Sequence, residues 1–199
     1  ILYWGEEAQK KLLNSSVVVF GLGGVGGYCA EALARSGVGK LTLVDFDTVS
    51  ESNINRQIVA LNSTIGEAKT SLFETRLKDI NPNIKLRLIN DFYTEDFDFT
   101  GVDFVCDAID TMRSKINLLV KCYENKIPVI SSMGAGNRIN PEMLYVSDIS
   151  EIHDKKAPFV SNILYQLKKR GIESGITVVS SDEKPFVQEK LSEVEKITT

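Results

Sequence analysis

A glycine-rich turn and a following acidic residue are the first features of this chain that could bind a nucleotide. Directly after the apolar run Ser16–Phe20, the motif Gly-Leu-Gly-Gly-Val-Gly places glycines at Gly21, Gly23, Gly24 and Gly26. Glycines let backbone N–H groups approach a phosphate, and the N-terminus of a following helix carries partial positive charge. Asp45, nineteen residues beyond Gly26, could accept a hydrogen bond from a ribose hydroxyl. The pattern predicts a nucleotide site, for either ATP or NAD.

A second group of polar and charged residues follows and favours a triphosphate. Its members are Asp47, Ser52, Asn53, Arg56, Gln57 and Lys69. Arg56 offers a fork of donors, Lys69 a compact positive charge and Asn53 uncharged hydrogen bonds, all suited to phosphate oxygens. The pyrophosphate of a dinucleotide already rests on the glycine turn, whereas a triphosphate brings about four negative charges and a pyrophosphate leaving group to be stabilised. The alternative interpretation is that Arg56 and Lys69 are solvated surface charges.

Two carboxylates end the apolar run 103–108 and are candidates for a metal site. Asp107 and Asp110 lie in the stretch Cys-Asp-Ala-Ile-Asp-Thr that ends at Thr111. Ligands bind at the carboxyl ends of parallel strands, and a carboxylate that faces a triphosphate is a natural magnesium ligand. We favour Asp110 as the Mg²⁺ ligand, because Asp107 could instead cap the neighbouring turn.

The elements that must position these residues alternate between strand and helix. The predicted strands are 16–20, 40–44, 84–89, 103–108 and 127–131, and the predicted helices are 28–36, 66–80 and 112–125. Strands separated by helices indicate a mainly parallel sheet covered on both faces, an α/β, Rossmann-like, doubly wound fold. We expect residues 1–15 to form a helix packed on the edge of this sheet.

The pattern changes after Gly134, where we expect a short extension with additional strands. Residues 143–146 and 176–179 are typical of strands, residues 158–170 of a helix, and the tail from Phe186 of an exposed helix or a mobile arm. We therefore divide one ATP-binding adenylating domain, 1–199, into an N-terminal helix (1–15), a nucleotide-binding core (16–135) and a substrate-side extension (136–199).

Whole-chain properties exclude some classes of protein. The 199 residues carry a net charge of −4, which argues against a protein that coats nucleic acid through bulk charge. No apolar run approaches the roughly 18 residues of a membrane span, and the N-terminus lacks a signal-peptide pattern, so we expect a cytoplasmic protein. The first residue is not methionine, and we expect further residues upstream. Cys29, Cys106 and Cys122 are far apart in sequence and lie in apolar stretches, where a free cysteine acts as a small hydrophobe.

Taken together, these motifs resemble the ubiquitin-activating-enzyme-like superfamily of adenylating enzymes, which includes bacterial activators of sulfur-carrier proteins. The similarity covers the glycine turn, Asp45, Asp47, Ser52–Gln57, Lys69 and Asp110-Thr111, in order and with similar spacing. The resemblance implies that ATP and Mg²⁺ are bound, with Asp45 on the ribose, Asn53, Arg56 and Lys69 on the phosphates and Asp110 on the metal. It identifies Arg56, Lys69 and Asp110 as catalytic, and it implies a homodimer.

Within the superfamily, the chain is most similar to the tRNA threonylcarbamoyladenosine dehydratases. The similarity lies in the segments 3–8, 30–39, 53–57, 108–111, 132–137 and 178–185. Sulfur-carrier activators usually have Asp-Asn in place of Asp110-Thr111 and commonly carry zinc-binding cysteine pairs. The resemblance implies that a threonyl carboxylate on a modified adenosine of tRNA is adenylated and then attacked by the neighbouring carbamoyl group, which closes a ring without an enzyme thiol.

Three other functions remain open at this stage. One is activation of a ubiquitin-like or sulfur-carrier protein at its C-terminus, which would use the same ATP residues. The second is an NAD-linked dehydrogenase, and the third is a non-catalytic relative that only binds partners. If tRNA is the substrate, the most concentrated basic residues are candidates for its contact, although they also suit a solvated face: Lys155, Lys156, Lys168, Lys169 and Arg170. The only histidine, His153, is predicted to be a surface residue.

Overall fold

Short apolar runs form the seven strands of one sheet in the computed structural model, which describes residues 5–134 and 136–186. The strands are β1 (Ser16–Phe20), β2 (Lys40–Val44), β3 (Lys85–Ile89), β4 (Phe104–Asp107), β5 (Val129–Ser132), β6 (Leu144–Asp148) and β7 (Thr177–Ser181). Their order is β3-β2-β1-β4-β5-β7-β6, and only β6 is antiparallel to its neighbour. The predicted α/β, Rossmann-like fold with additional C-terminal strands is confirmed.

The described residues form five α-helices, four of which cover the two faces of the sheet. They are α1 (Gly5–Asn14), α2 (Gly26–Arg35), α3 (Lys69–Ile80), α4 (Met112–Glu124) and α5 (Pro158–Lys168). Alternate residues of β1 point to opposite faces. Val17 and Val19 pack with α2 and α3, whereas Val18 and Phe20 pack with α4 and α5. This burial on both faces explains why β1 is apolar at successive positions rather than at every second one.

Two helices begin away from their predicted first residues, for reasons of backbone packing. Helix α2 begins at Gly26 instead of Tyr28, since Gly26 and Gly27 are buried where a larger residue would collide with neighbouring atoms. Helix α3 begins at Lys69 instead of residue 66, because Gly66 has φ +90° and belongs to the preceding turn. The two glycines at the start of α2 permit the close packing of its first turn, and the positive φ of Gly66 places this residue in the turn before α3.

Helix α1 lies at the amino ends of the central strands. Its Leu12 carbonyl accepts a hydrogen bond from Gly39, and the Ser15 carbonyl accepts one from Lys40 at the start of β2. The helix therefore packs beneath β1 and β2 rather than along an outer strand.

An aromatic segment replaces a helix between β3 and β4. The chain from 90 to 103 crosses the sheet face that holds Phe20, whose ring contacts Tyr93 and Phe97 with centroids 5.3 and 5.0 Å apart. Phe97 in turn packs edge-on against Phe99 at 4.7 Å. These rings bury the apolar face that a third crossover helix would otherwise cover.

The cysteines are packed in the interior, as predicted, but two of them are neighbours. Cys106 and Cys122 are buried and Cys29 is half-buried. A hydrogen bond between the thiols of Cys29 and Cys106 lowers the pKa of Cys29 and raises that of Cys106. Burial raises the pKa of Cys122 to about 12. The sequence separation of Cys29 and Cys106 concealed this contact, because α2 folds back onto β4.

Within the described ranges, no helix has the length and apolarity needed to cross a bilayer. The predicted helix or arm after Phe186 falls on residues 187–199, outside the described part of the chain.

Candidate functional site

The candidate site lies where the direction of strand order reverses, between β1 and β4. The chain leads outward from β1 to β2 and β3 on one side, and to β4 and β5 on the other. The connections that follow β1 and β4 therefore lead away in opposite directions and leave a crevice at the carboxyl edge of the sheet. The two turns are in close contact: a Cβ atom on Gly21 would lie 2.7 Å from the Ala108 carbonyl oxygen.

The glycine turn is held in a shape that only glycine permits at two positions. Gly21 has φ +84°, which other residues rarely adopt. A Cβ atom on Gly26 would lie 1.8 Å from the Gly21 carbonyl oxygen, so α2 begins directly against the turn. The first turn of α2 therefore packs directly behind the glycine turn, an arrangement that suits phosphate binding.

Asp45 ties the end of β2 to the glycine turn. Its Oδ2 accepts a hydrogen bond from the Leu22 N–H at 2.5 Å, and its Oδ1 accepts one from the Asp47 N–H at 2.8 Å. Burial raises the pKa of the Asp45 carboxyl, while the two backbone donors act in the opposite direction. Each oxygen has a second lone pair, so the carboxylate can still accept a hydroxyl donor from the crevice.

Lys69 is not a solvated surface charge, and for this residue the alternative interpretation is wrong. Its side chain is 3% exposed, at the start of α3, and Nζ donates to Asp47 Oδ2 at 2.7 Å. The Asp47 side chain, by contrast, is 46% exposed. The pair fixes the direction of the ammonium group at the crevice wall, where the remaining two Nζ protons can meet a phosphate.

Arg56 is exposed, and its side chain is held by hydrogen bonds to its own loop. Its Nη1 donates to the Ser52 carbonyl and to Asn55 Oδ1, both at 2.8 Å. Among the described residues, none accepts a hydrogen bond from Nε or Nη2, so this side of the guanidinium remains available for a bidentate anion. Asn53 is buried and its Oδ1 caps the same loop by accepting from the Ser50 N–H at 3.1 Å, which leaves its amide nitrogen for a ligand.

The two candidate metal ligands differ in their surroundings. Asp107 is buried, pairs with Lys115 at 2.6 Å and caps the following turn by accepting the Ile109 N–H at 3.0 Å. Asp110 is exposed at the crevice, with only a 3.4 Å contact from the Thr111 hydroxyl among its described side-chain hydrogen bonds. Of the two carboxylates, Asp110 is the one open to a cation. No cluster of three or more metal-binding side chains occurs in residues 5–134 and 136–186.

Most of the predicted site residues line one cleft. They are Gly21, Gly23, Asp45, Asp47, Asn53, Arg56, Gln57, Lys69, Asp110 and Thr111. Gly24 lines an adjoining cleft, and two predicted residues line neither: Gly26 is buried beneath the turn, and the Ser52 hydroxyl pairs with Ser50 at 3.0 Å. The charged residues predicted to meet a triphosphate therefore converge from three loops on one side of the sheet.

Two buried polar atoms at this cleft have no hydrogen-bond partner in the described structure. They are Oε1 of Gln57 and the hydroxyl of Tyr93, both on residues that line the cleft. Burial raises the pKa of Tyr93 to about 12, so this hydroxyl stays protonated. Because buried polar atoms are nearly always paired, these two are suited to a polar ligand.

Several lining residues were missed from the sequence. Phe46 and Phe92 stack with ring centroids 3.6 Å apart and remain about half exposed, and Asp91, Tyr93 and Ser114 complete this wall. Exposed stacked rings suit a nucleobase. The sequence did contain a signal for Asp91, Phe92 and Tyr93. These residues closely follow β3, so they reach the same carboxyl edge of the sheet as the turns after β1 and β2.

A second cleft adjoins the first and shares part of its wall. The shared residues include Gly23, Arg56, Gln57 and Asp110. Beyond them the second cleft continues over the end of β5, the segment after it and the start of α5, with Ser132, Gly134, Gly136 and Phe159, and it also contacts Gly24 and Val25 of the glycine turn. No cysteine occurs among the described residues that line either cleft. Two ligands could thus meet beside Arg56 and Asp110.

The five basic residues proposed to contact RNA divide into two groups. Lys155 and Lys156 lie just before the start of α5, whose Phe159 lines the second cleft, whereas Lys168 is the last residue of α5 and Lys169 and Arg170 follow it. Eleven helical residues separate the two ends by about 16 Å. Since α5 leads into the amino end of β7, the second group lies at the sheet edge opposite the clefts. His153 is exposed, as predicted, and pairs with Asp182 at 2.9 Å.

Comparison with known proteins places these features in a family. Residues 1–186 match the ThiF family. The chain is 46% identical over 188 residues to the tRNA threonylcarbamoyladenosine dehydratase of Bacillus subtilis, across 92% of this chain and 73% of that protein. It is 40% identical to the Escherichia coli protein of the same name, across 74% of this chain but only 57% of that protein.

A structural comparison agrees with the sequence match. The structure of E. coli tRNA N6-threonylcarbamoyladenosine dehydratase in complex with ATP aligns with a TM-score of 0.83 at 36% identity, covering 92% of this chain and 78% of that one. The resemblance inferred from the glycine turn, the Ser52–Gln57 segment and Asp110 is thereby confirmed. The chain belongs to the ThiF family.

Proposed function

We propose that this chain is an adenylating enzyme that uses ATP to dehydrate threonylcarbamoyladenosine in tRNA to its cyclic form. The observation that carries the proposal is the convergence of Arg56, Lys69 and Asp110 on the cleft formed by the glycine turn and Asp45. The similarity to the dehydratases named above supports the choice of substrate. A dinucleotide enzyme would have no need for a buried lysine and a free arginine beyond the second strand.

The arrangement of the cleft suits ATP as a substrate. The ribose hydroxyls would bind Asp45, the base would lie toward the stacked rings of Phe46 and Phe92, and the phosphates would extend toward Arg56 and Lys69. The free side of the Arg56 guanidinium and the fixed ammonium of Lys69 would stabilise the charge that develops on departing pyrophosphate. Gln57 and Tyr93 would gain the hydrogen bonds that their buried polar atoms lack.

The second cleft provides the approach for the carboxylate that is activated. A carboxylate oxygen attacks the α-phosphorus atom, the bond to the β-phosphate bridging oxygen breaks, and pyrophosphate leaves. The carbamoyl group of the same substrate then attacks the acyl carbon and releases a proton to solvent, and AMP departs with the carboxylate oxygen, so the nucleoside has lost the elements of one water. The first step is an in-line displacement at phosphorus and the second is an intramolecular attack at carbon. Both depend on the orientation of the reacting groups more than on a covalent bond to the enzyme. This agrees with the absence of cysteine from the described cleft walls.

We include Mg²⁺ in the proposal, with Asp110 as its protein ligand. When bound, the ion would neutralise phosphate charge. The exposed Asp110 carboxylate suits this role better than Asp107, because Lys115 and the Ile109 N–H already occupy Asp107.

A direct assay tests the proposed reaction. The protein is incubated with ATP, Mg²⁺ and tRNA that carries the linear modification, and the released nucleosides are analysed by mass spectrometry. We expect a mass loss of one water, together with AMP and pyrophosphate in equal amounts. Pyrophosphate exchange that depends on a carrier protein and not on the tRNA would replace this proposal with carrier activation. Tight NADH binding without competition from ATP would instead indicate a dinucleotide enzyme.

The position of the basic residues gives a prediction for tRNA binding. Replacing Lys155 and Lys156 with alanine should weaken tRNA binding and reduce its salt dependence, by about 0.7–0.9 in log-log slope for each phosphate that is no longer neutralised. Replacing Lys168, Lys169 and Arg170 should have a smaller effect, because these residues lie at the edge opposite the clefts. Binding measured by filter retention at several salt concentrations checks both variants. If only the second variant binds tRNA more weakly, the tRNA approaches from the other edge.

Association of two copies is the part of the proposal that rests on family resemblance alone. Sedimentation equilibrium should give the mass of two chains. A mass of one chain would contradict the proposed homodimer.

A further inference from the structure

A fully buried ionic network lies directly beneath the turn that carries Asp110. Lys115 on the first turn of α4 donates through Nζ to Asp107 Oδ2 at 2.6 Å and to the Ser131 hydroxyl at 3.1 Å. The Ser131 hydroxyl donates in turn to the same Asp107 oxygen at 2.6 Å. Lys115 and Ser131 are 0% exposed and Asp107 is 2% exposed. The three side chains form a closed triangle that links β4, β5 and α4.

Stability alone does not explain this network. Removing two charges from water costs much of what their attraction returns, and well-packed apolar residues of similar volume are often as stabilising or more so. The neighbouring interior offers such packing, since Ile116, Leu118 and Leu119 on the same helix are buried in one of the two cores. A buried lysine at this position therefore calls for a role that an apolar residue could not perform.

The geometry of the network indicates what that role is. The second oxygen of Asp107, Oδ1, accepts the Ile109 N–H at 3.0 Å, so one carboxylate connects the buried lysine to the turn above it. The far end of the turn is also held, because the Thr111 carbonyl accepts the Lys115 N–H at 3.0 Å. The turn 108–111 is thus anchored at both ends by Asp107 and Lys115, with Asp110 between the anchors.

We propose that Lys115, Asp107 and Ser131 are positioning residues that hold the 108–111 turn so that the Asp110 carboxylate faces the phosphates and metal of the nucleotide. The proposal rests on the proposed function, since it concerns how Asp110 acts there. None of the three residues lines either cleft, so they act through Asp110 rather than on a ligand. Asp107 must keep Oδ1 directed at Ile109, and Lys115 with Ser131 fixes that orientation by holding Oδ2.

A double-mutant cycle with Asp110 tests this dependence. The measured quantity is the ratio of ATP dissociation constants without and with Mg²⁺, obtained by titration calorimetry. Lys115→Met should lower that ratio by about 10-fold, the lower end of the effect seen for groups that support metal ligands. The same substitution in an Asp110→Ala protein should change the ratio by less than about twofold, because the residue through which Lys115 acts is already gone. The rate of nucleoside conversion, measured in the same four proteins, should follow the same pattern.

Equal losses in both backgrounds would overturn the proposal, since they would mean that Lys115 supports the fold in general. An unchanged ratio in Lys115→Met would overturn it as well. If Lys115→Met does not fold because Asp107 is left unpaired, Ser131→Ala takes its place in the cycle. Ser131→Ala keeps the ion pair but removes both hydrogen bonds of the Ser131 hydroxyl. We expect a loss of about threefold to fivefold, within the range for lost hydrogen bonds, that again disappears in the Asp110→Ala background.

The unsubstituted protein separates this inference from the proposed function. If it fails to convert the modified tRNA, the proposed function is wrong whatever the cycle gives. If it converts the tRNA and Lys115→Met behaves like the unsubstituted protein in both measurements, only the positioning role is wrong.

Discussion

An Arg56→Ala protein is expected to lose at least about 100-fold in the rate of nucleoside conversion while remaining folded. The physical reason is that the free side of the guanidinium is the exposed cationic group at the junction of the two clefts, where pyrophosphate would leave. The only side-chain hydrogen bonds of Arg56 in the described structure go to Ser52 and Asn55 of its own loop. Its removal should therefore shift the melting temperature by only a few degrees, as for most exposed side chains.

The rate is measured by mass analysis of the nucleosides, and the fold by circular dichroism. Arg35→Ala is a matched control, because Arg35 is also exposed but pairs with Glu31 on α2, away from both clefts. Conversion by the control should be close to that of the unsubstituted protein. Lys69 is a less clean test, since its removal would leave Asp47 unpaired and a space beneath α3. Full activity in Arg56→Ala would exclude Arg56 from the reaction.

A Gly26→Ala protein is expected to lose nucleotide binding because its backbone is displaced, although Gly26 has no side chain that could bind the nucleotide. The added Cβ would lie 1.8 Å from the Gly21 carbonyl oxygen and 2.9 Å from its carbonyl carbon, so either the glycine turn or the start of α2 has to move. We expect the ATP dissociation constant to rise at least about 30-fold and the free energy of unfolding to fall by more than about 2 kcal/mol. ATP titration and urea denaturation measure the two quantities.

Gly136→Ala is the matched control for this substitution. A Cβ atom there meets nothing within 4 Å, and the backbone of Gly136 does not have a positive φ. ATP affinity and stability should therefore change little in the control. If Gly26→Ala binds ATP normally and unfolds at the usual urea concentration, the close approach of Gly21 and Gly26 is not needed for the shape of the turn.

Much of the fold could be predicted because local pattern and burial coincide in this chain. Strands β1 and β2 have the predicted bounds, since runs such as Ser-Val-Val-Val-Phe are apolar at nearly every position and end at glycine or aspartate. The start of α3 was less predictable, because Gly66, Glu67 and Ala68 suit a helix or a turn equally well. There the antiparallel bridge between Thr48 and Ala68 decides the outcome, and it is a contact between distant residues.

The candidate site likewise has features that could be predicted from the sequence and others that depend on the tertiary structure. The types and order of the residues were enough to predict the glycine turn, the acid that ends β2, the cations that follow it and the acid after β4. These features could be grouped into one site because the strands that precede them end at the same carboxyl edge of the sheet. Only the tertiary structure decided that Lys69 is buried against Asp47 and that Asp107 belongs to a buried network with Lys115. Burial and pairing of charges depend on which loops meet in space, and spacing along one chain carries no information about that.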